Sequence, residues 1–169
     1  MSKTANDNYA KKIKDLVPIT FGRLNTSLGK PVPKNVRILL DSGSSATVMC
    51  TRLAKKLRIK KIPDVNWSTM AGNVKTGLKS KIEFSLPEFF EDRLIEWDSY
   101  LTNDLGSYDM IIGRDLLCEL GVDINFSTST CTWDSSTIPM RNPKIHIKQS
   151  YIVEESGPVK QATSRLKKY

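Results

Sequence analysis

The sequence predicts a mostly β domain with one or two short helices. Short apolar runs, several of them rich in β-branched residues, recur between segments rich in glycine, proline, asparagine and serine. Apolar residues repeat with helical spacing in only two short stretches. A chain of 169 residues suits one globular domain with its own core. No apolar run approaches the roughly 18 residues that a membrane-spanning helix needs, so no membrane partner is expected.

Two strands joined by a turn-rich loop are expected first. They cover residues 18–24 and 36–40, which are apolar and partly β-branched. The loop between them contains Gly29, Pro31 and Pro33, residue types that favour turns and interrupt strands. The second of these strands therefore begins only after the last proline.

A short strand, a short helix and a long hairpin are expected next. The strand covers residues 46–49, and the helix covers residues 51–57, where apolar side chains share one helical face. The hairpin covers residues 65–85, in which polar and apolar residues alternate around glycines. Its tip is expected near residues 71–73, and a further strand is expected at residues 94–101.

The last part of the domain is expected to contain one more helix among strands. An apolar strand at residues 108–112 precedes a helix at residues 115–120. Gly121 follows the helix and suits a left-handed cap. Two final strands are predicted at residues 122–126 and 130–133.

The chain is interpreted as a leader, one domain and a tail. Residues 1–15 are polar and predicted to be disordered, residues 16–140 form the domain, and residues 141–169 form a basic linker or tail. The net charge of +8 is concentrated in the two ends of the chain. Basic ends suit RNA or another acidic partner, but solvated termini explain them as well. Few aromatic residues lie among these lysines, so nucleic acid is a possible but disfavoured partner.

The cysteine and histidine content argues against a metal site or a disulfide framework. Cys50, Cys118 and Cys131 are widely spaced and odd in number, and His146 is the single histidine. All three cysteines are expected to be free thiols in apolar positions. No metal and no cofactor is predicted, and neither a serine-histidine nor a cysteine-histidine site has support.

The segment Asp41, Ser42, Gly43 is the strongest candidate for chemistry. Alone it is a weak signal, because these residue types are common in turns. Here, however, an apolar strand leads directly into Asp41, and small residues and a second apolar strand follow. A carboxylate at the end of buried strands costs free energy unless it is hydrogen-bonded or paired, so the position indicates a function.

A second motif lies downstream, after the predicted hairpin. It consists of Ile111, Ile112, Gly113, Arg114 and Asp115, at the junction of an apolar strand and a helix. Alone, this pattern is common in α/β proteins. The order of the three elements, an Asp-Ser-Gly loop, a hairpin and then an Ile-Ile-Gly-Arg-Asp segment, is far more specific.

In this order of motifs, residues 18–140 resemble the retropepsin family of aspartic proteases, and residues 108–140 look closest to proteases of gypsy-type long-terminal-repeat retrotransposons. The resemblance implies a closed β-barrel subunit that supplies one Asp-[Ser/Thr]-Gly loop and one hairpin flap. No second such motif occurs, so one chain holds half a site. The implied partners are a second copy of the chain and a polypeptide substrate.

The resemblance also implies roles for individual residues. Asp41 is the catalytic residue, and its loop is supported by Ser42, Gly43 and Ser44. The flap tip consists of Met70, Ala71, Gly72 and Asn73. The substrate cleft is lined by Ile111 and Ile112.

The chain departs from many members of that family at two positions of the loop. Ser44 stands where alanine is common, and its hydroxyl is expected to donate a hydrogen bond to the Asp41 carboxylate. Ser45 stands where an aspartate often pairs with the arginine of the second motif, so Arg114 must have another partner.

The expected function is therefore a homodimeric aspartic endopeptidase that processes a Gag-Pol-type polyprotein in the host cytoplasm or in a virus-like particle. The alternative is a catalytically inactive retropepsin-fold domain that serves dimerisation or scaffolding.

Overall fold

A computed structural model of the chain describes residues 15–145 and the backbone of residues 167–168. The predicted leader, apart from Asp15, and most of the predicted tail lie outside these residues. The division into leader, domain and tail stays a prediction. No helix among the described residues is long and apolar enough to cross a bilayer.

The described residues form short strands with one α-helix and one 3-10 helix. The mostly β fold with one or two short helices is therefore confirmed. In chain order the elements are β1 Ile19–Asn25, β2 Pro33–Leu40, β3 Val48–Cys50, the 3-10 helix Thr51–Ala54, β4 Ile59–Thr69, β5 Gly72–Ser85, β6 Arg93–Thr102, β7 Met110–Ile112, α1 Arg114–Leu120, β8 Val122–Asn125, β9 Thr130–Trp133, β10 Ser136–Pro139 and β11 Lys167–Lys168.

Six strands close into a barrel, as predicted. Neighbouring strands follow the order β6, β3, β7, β2, β1, β5, and β5 also pairs with β6, so the ring is complete. The pairs β2–β7 and β3–β6 are parallel, while the other four are antiparallel. β4 extends the sheet from β5, β11 adds to β6, and β8, β9 and β10 form a separate sheet.

The neighbouring strands β2 and β7 are buried along consecutive residues. The end of β2, from Ile38 to Leu40, and the whole of β7 have at most 1% exposure. Such continuous apolar runs are typical of strands that are covered on both faces. The separate sheet adds Trp133, which is fully buried and packs edge-on against Phe89 and Phe90 at centroid distances of 6.1 and 5.4 Å.

Three predicted elements differ from the structure, and one observed strand was not predicted. β2 begins at Pro33 and not after it, because proline is tolerated as the first residue of a strand. The helix at residues 51–57 is a four-residue 3-10 helix. β4 begins at Ile59 and contains Pro63 where the register with β5 shifts, because a residue without an N–H donor is tolerated at such an irregularity. β10 was not predicted, because among its residues only Ile138 is buried and the apolar pattern is weak. The left-handed cap at Gly121 is confirmed, with φ of 74°.

The cysteines are free, but they do not all fill apolar positions. Cys50 and Cys131 are buried, whereas Cys118 lies exposed on α1, which corrects the expectation for that residue. Burial raises the pKa of the Cys131 thiol to about 11 and is also the main cause that raises the pKa of Cys50. Both buried thiols are therefore protonated at neutral pH.

Backbone hydrogen bonds and a nearly buried ion pair hold Arg141 against the barrel. Val17 and Arg141 exchange backbone hydrogen bonds of 2.8 and 2.9 Å. The Arg141 guanidinium binds both carboxylate oxygens of Glu88, and the two side chains are 14% and 8% exposed. The Glu88 carboxylate also accepts hydrogen bonds from the Thr20 hydroxyl and the Phe21 amide, both at 2.9 Å. Arg141 is therefore fixed to the barrel.

Arg141→Ala should lower the free energy of unfolding by about 3 kcal/mol, because it leaves the Glu88 carboxylate buried without its cation. Urea denaturation measures this change. The matched control is Arg52→Ala, which removes an ion pair with Asp109 in which the arginine side chain is 51% exposed. The control should cost less than about 1 kcal/mol. Equal losses in the two variants would contradict the structural role of Arg141.

Candidate active site

Asp41 lies where β2 ends, at the neighbouring end of β7. Leu40 pairs with Ile112 in the parallel β2–β7 ladder, and the Asp41 amide donates to the Ile112 carbonyl at 2.9 Å. The residue is 2% exposed. Its backbone is therefore fixed by the barrel, and its side chain is shielded from water.

The loop after Asp41 folds back onto the carboxylate. The Gly43 amide donates to Asp41 Oδ1 at 2.9 Å, and the Ser44 amide donates to the Asp41 carbonyl at 3.1 Å. Ser42 and Gly43 are exposed, whereas Ser44 is buried. The structure thus places Gly43 against the carboxylate and leaves Ser42 at the surface.

Gly113 allows the second motif to touch this loop. A Cβ on Gly113 would lie 2.4 Å from the Ala46 carbonyl oxygen and 2.9 Å from that of Ser44. The next residue, Arg114, donates its amide to the Ser44 carbonyl at 2.7 Å. The two motifs therefore meet through backbone contacts, which explains why glycine is required at the junction.

Asp115 strengthens this junction, although no role was predicted for it from the sequence. Its carboxylate accepts hydrogen bonds from the Thr47 hydroxyl at 2.7 Å and the Thr47 amide at 3.1 Å. The same hydroxyl accepts from the Gly113 amide at 3.1 Å. The sequence carries one signal for a structural role of Asp115, its place in the first turn of a predicted helix, because acidic residues stabilise a helix N-terminus.

The hairpin of β4 and β5, hereafter the flap, lies over Asp41. Its turn contains Met70 and Ala71, and the Met70 amide donates to Asp41 Oδ2 at 2.8 Å. The Met70 side chain itself is 60% exposed. The structure thus brings the backbone of Met70 to the aspartate.

The other predicted tip residues make contacts within the flap. The Ala71 amide and the Gly72 carbonyl both bind the Thr69 hydroxyl, and Gly72 has φ of 114°. The Asn73 side-chain oxygen accepts from the Ser68 hydroxyl at 3.0 Å. These contacts shape the turn that presents Met70.

The prediction that the Ser44 hydroxyl donates a hydrogen bond to the Asp41 carboxylate is wrong. Ser44 Oγ donates to the Ala46 carbonyl at 2.8 Å and accepts a hydrogen bond from Trp67 Nε1 at 2.9 Å. The hydroxyl is therefore engaged with its own loop and with β4. Trp67, for which no role was predicted from the sequence, links the flap to the loop.

Ile111 and Ile112 lie on β7 with no exposed surface. β7 is central in the barrel, between β2 and β3, and its residues belong to the core. In the single chain neither side chain lines an open cleft, so their role toward a substrate stays a prediction.

The electrostatic setting of Asp41 is unusual for a buried carboxylate. Oδ1 and Oδ2 each accept a hydrogen bond from a neutral backbone amide. Within residues 15–145, Asp41 has no ion-pair partner. A buried carboxylate is costly unless it is hydrogen-bonded or paired, so two amide donors are a modest compensation.

A groove of about 430 Å³ lies beside the loop. Its apolar lining comes mainly from α1 and β8, and Phe126 at its edge is 65% exposed. The exposed Arg114 also lines it. The groove therefore places an apolar surface next to the exposed Ser42.

The described fold is similar to a solved structure, the crystal structure of the retroviral protease-like domain of Ddi1 from Leishmania major. The match has a TM-score of 0.49 and 17% sequence identity, and it covers 77% of this chain and 97% of that chain. This likeness concerns the fold alone. No family model and no curated protein matches the chain.

Gly113→Ala should destabilise the domain by about 3 kcal/mol, because the added methyl group collides with the backbone of the Asp41 loop. Urea denaturation measures the loss. Gly121→Ala is the matched control, since Gly121 has positive φ but open space around it. It should cost only about 1 kcal/mol. A loss at Gly113 no larger than at Gly121 would argue against tight contact between the two motifs.

Proposed function

We propose that the chain is one subunit of a homodimeric aspartic endopeptidase and that Asp41 is its catalytic residue. The observation that supports this most directly is the Asp41 carboxylate, which is 2% exposed, held by amides of its own loop and the flap, and without a cation partner among the described residues. A structural carboxylate at such a depth would be expected to have a charged partner.

Two copies are needed because the sequence contains a single Asp-Ser-Gly segment. An isologous twofold interface would bring the two Asp41 loops together. The exposed Ser42 and Gly43 supply free surface at the loop, and the adjacent groove with Phe126 supplies apolar area for a second copy. These features support dimerisation through this end of the barrel.

The paired carboxylates would carry out general acid-base catalysis. Two carboxylates about 3 Å apart cannot both ionise without strong repulsion, so the pair shares one proton. The ionised member takes a proton from a bound water, which attacks the scissile carbonyl carbon. The protonated member hydrogen-bonds to the carbonyl oxygen and later helps to protonate the leaving nitrogen. The reaction needs no covalent intermediate, metal or cofactor.

The flap would bind the substrate as an extended strand. Residues 72–78 of β5, which lead from the flap tip, pair only with β4 in the described chain. Peptide recognition by strand addition uses backbone hydrogen bonds for affinity and alternate side chains for specificity. Residues 70–73, together with Ile111 and Ile112, are the proposed substrate-binding residues.

The biological role follows from the motif resemblance. The polypeptide substrate is proposed to be a Gag-Pol-type polyprotein of a gypsy-type retroelement that contains the protease itself. Processing would take place in the host cytoplasm or in a virus-like particle.

Asp41→Asn should reduce peptide cleavage at least about a thousandfold, because the amide cannot act as the base or share the proton. Cleavage of a mixed peptide library between about pH 4 and 7 measures this loss. An inhibitor that mimics the tetrahedral transition state of aspartic proteases should abolish the wild-type activity. Asp98→Asn is the control, because Asp98 is exposed and precedes a serine without the following glycine.

Two outcomes would contradict the proposal in different ways. Cleavage that persists in Asp41→Asn would exclude Asp41 as the catalytic residue. A wild-type dimer that neither cleaves peptides nor binds the inhibitor would instead favour the scaffold or dimerisation domain.

Phe126→Asp should weaken the dimer about 30-fold, because it places a charge at the apolar groove beside the Asp41 loop. Sedimentation equilibrium measures the dissociation constant. Leu28→Asp is the matched control, since Leu28 is 59% exposed but lies on the loop between β1 and β2. Similar dissociation constants for wild type and Phe126→Asp would place the interface elsewhere.

A further inference from the structure

We infer that Trp67 and Ser44 form a latch that holds the flap in the position in which it caps Asp41. This inference rests on the proposed function only where it concerns cleavage, because the latch itself is a property of the free chain. It makes Trp67 a positioning residue of the candidate site.

The latch joins two elements that are far apart in sequence. Trp67 belongs to β4, and Ser44 belongs to the loop that follows Asp41. The Trp67 indole donates from Nε1 to Ser44 Oγ at 2.9 Å, and this hydroxyl donates in turn to the Ala46 carbonyl at 2.8 Å. Because the Ser44 proton is used within the loop, the oxygen is oriented to accept the indole N–H.

Packing fixes the indole in this orientation. Its ring lies against Tyr100 of β6, with a centroid distance of 4.9 Å and an interplanar angle of 57°. Lys79 Nζ also lies over the Tyr100 ring, 4.2 Å from its centre. Trp67 is thereby held between the barrel wall and the Asp41 loop.

The capping contact lies three residues further along the same chain segment. Met70 donates its amide to Asp41 Oδ2 at 2.8 Å, and the Asp41 residue is only 2% exposed. A water or a substrate that approaches this oxygen must displace the Met70 amide. Opening of the flap therefore breaks two hydrogen bonds, one at the latch and one at the cap.

The size of the effect follows from ordinary hydrogen-bond energetics. The net contribution of one neutral hydrogen bond corresponds to about a fivefold change in an equilibrium. Loss of the latch should therefore raise the open fraction of the flap about fivefold. The apparent affinity for a substrate is proportional to the fraction of molecules in the binding-competent state. If only the open flap admits substrate, a larger open fraction raises the apparent affinity.

The first experiment measures hydrogen exchange of the Met70 amide by NMR in the full chain, at concentrations where sizing shows a single chain. The variants are Trp67→Phe, which keeps an aromatic ring against Tyr100, and Ser44→Ala, which removes the acceptor. Each should speed Met70 exchange about fivefold, and the double variant should do no more than either alone, because both remove the same bond.

Two controls separate the latch from general loosening of the fold. Ser44→Thr keeps the hydroxyl and should preserve wild-type exchange. Trp97→Phe removes an indole on β6 whose buried Nε1 has no hydrogen-bond partner among the described residues, and it should leave exchange of the Met70 amide unchanged. Exchange of the buried Ile38 amide reports global stability, and the effect at Met70 is taken relative to it.

Unprotected exchange of Met70 in the wild-type chain would overturn the inference. So would unchanged exchange in both Trp67→Phe and Ser44→Ala, or equal acceleration by Trp97→Phe. These measurements need no cleavage, so the latch can hold while the protease proposal fails, and the reverse result is equally visible.

Where the dimer cleaves peptides, a second readout applies. Trp67→Phe should lower KM about fivefold with kcat unchanged, because the flap no longer resists substrate entry. A higher KM would show that the contact clamps the substrate instead, and it would overturn the capping role.

Discussion

The parallel pairing of β2 with β7 is the constraint on which the candidate site depends. It brings the Asp41 loop and the Gly113 turn to the same end of the barrel, because both follow the carboxyl ends of their strands. The two segments then touch through backbone, with the Arg114 amide on the Ser44 carbonyl and no room for a side chain at Gly113. A shift of one residue in this register would turn the side chains of one strand to the opposite face and move Asp41 out of line with the Gly113 turn.

Unequal strand lengths explain why a flap exists at all. β5 has 14 residues, but β1 pairs with only its last two and β6 with residues 79–84. Closure of the barrel therefore uses one half of β5, and the other half pairs with β4 beyond the barrel wall. The irregular register between Lys61 and Val65 lies at this transition, where a bulge is able to bend the hairpin toward Asp41.

The local features of this architecture could be predicted from the sequence, whereas the contacts that join distant segments could not. Apolar runs, turn residues and the glycine after α1 predicted most strands, the helix and the hairpin, because each signal lies within a few residues of its effect. The bond from Trp67 to Ser44 and the ion pair between Glu88 and Arg141 span 23 and 53 positions. No periodicity encodes such partners, and only the closed barrel brings them together.

The orientation of Ser44 shows the same limit at short range. A hydroxyl three residues after Asp41 is close enough to reach the carboxylate, which motivated that expectation. Its direction is decided instead by the Ala46 carbonyl and by the indole of Trp67, which arrives from β4. Side-chain direction in a turn thus depends on a tertiary neighbour that the local sequence does not reveal.

The two oxygens of Asp41 consequently have different surroundings. Oδ1 is bound by Gly43, which belongs to the same turn and remains in place when the flap moves. Oδ2 is bound by Met70, whose position depends on the bend of the hairpin between Lys61 and Val65 and on the latch. One oxygen thus has a permanent donor and the other an exchangeable one. Under the proposed function, this difference leaves the carboxylate anchored through Oδ1 while Oδ2 becomes available to a water or a second carboxylate.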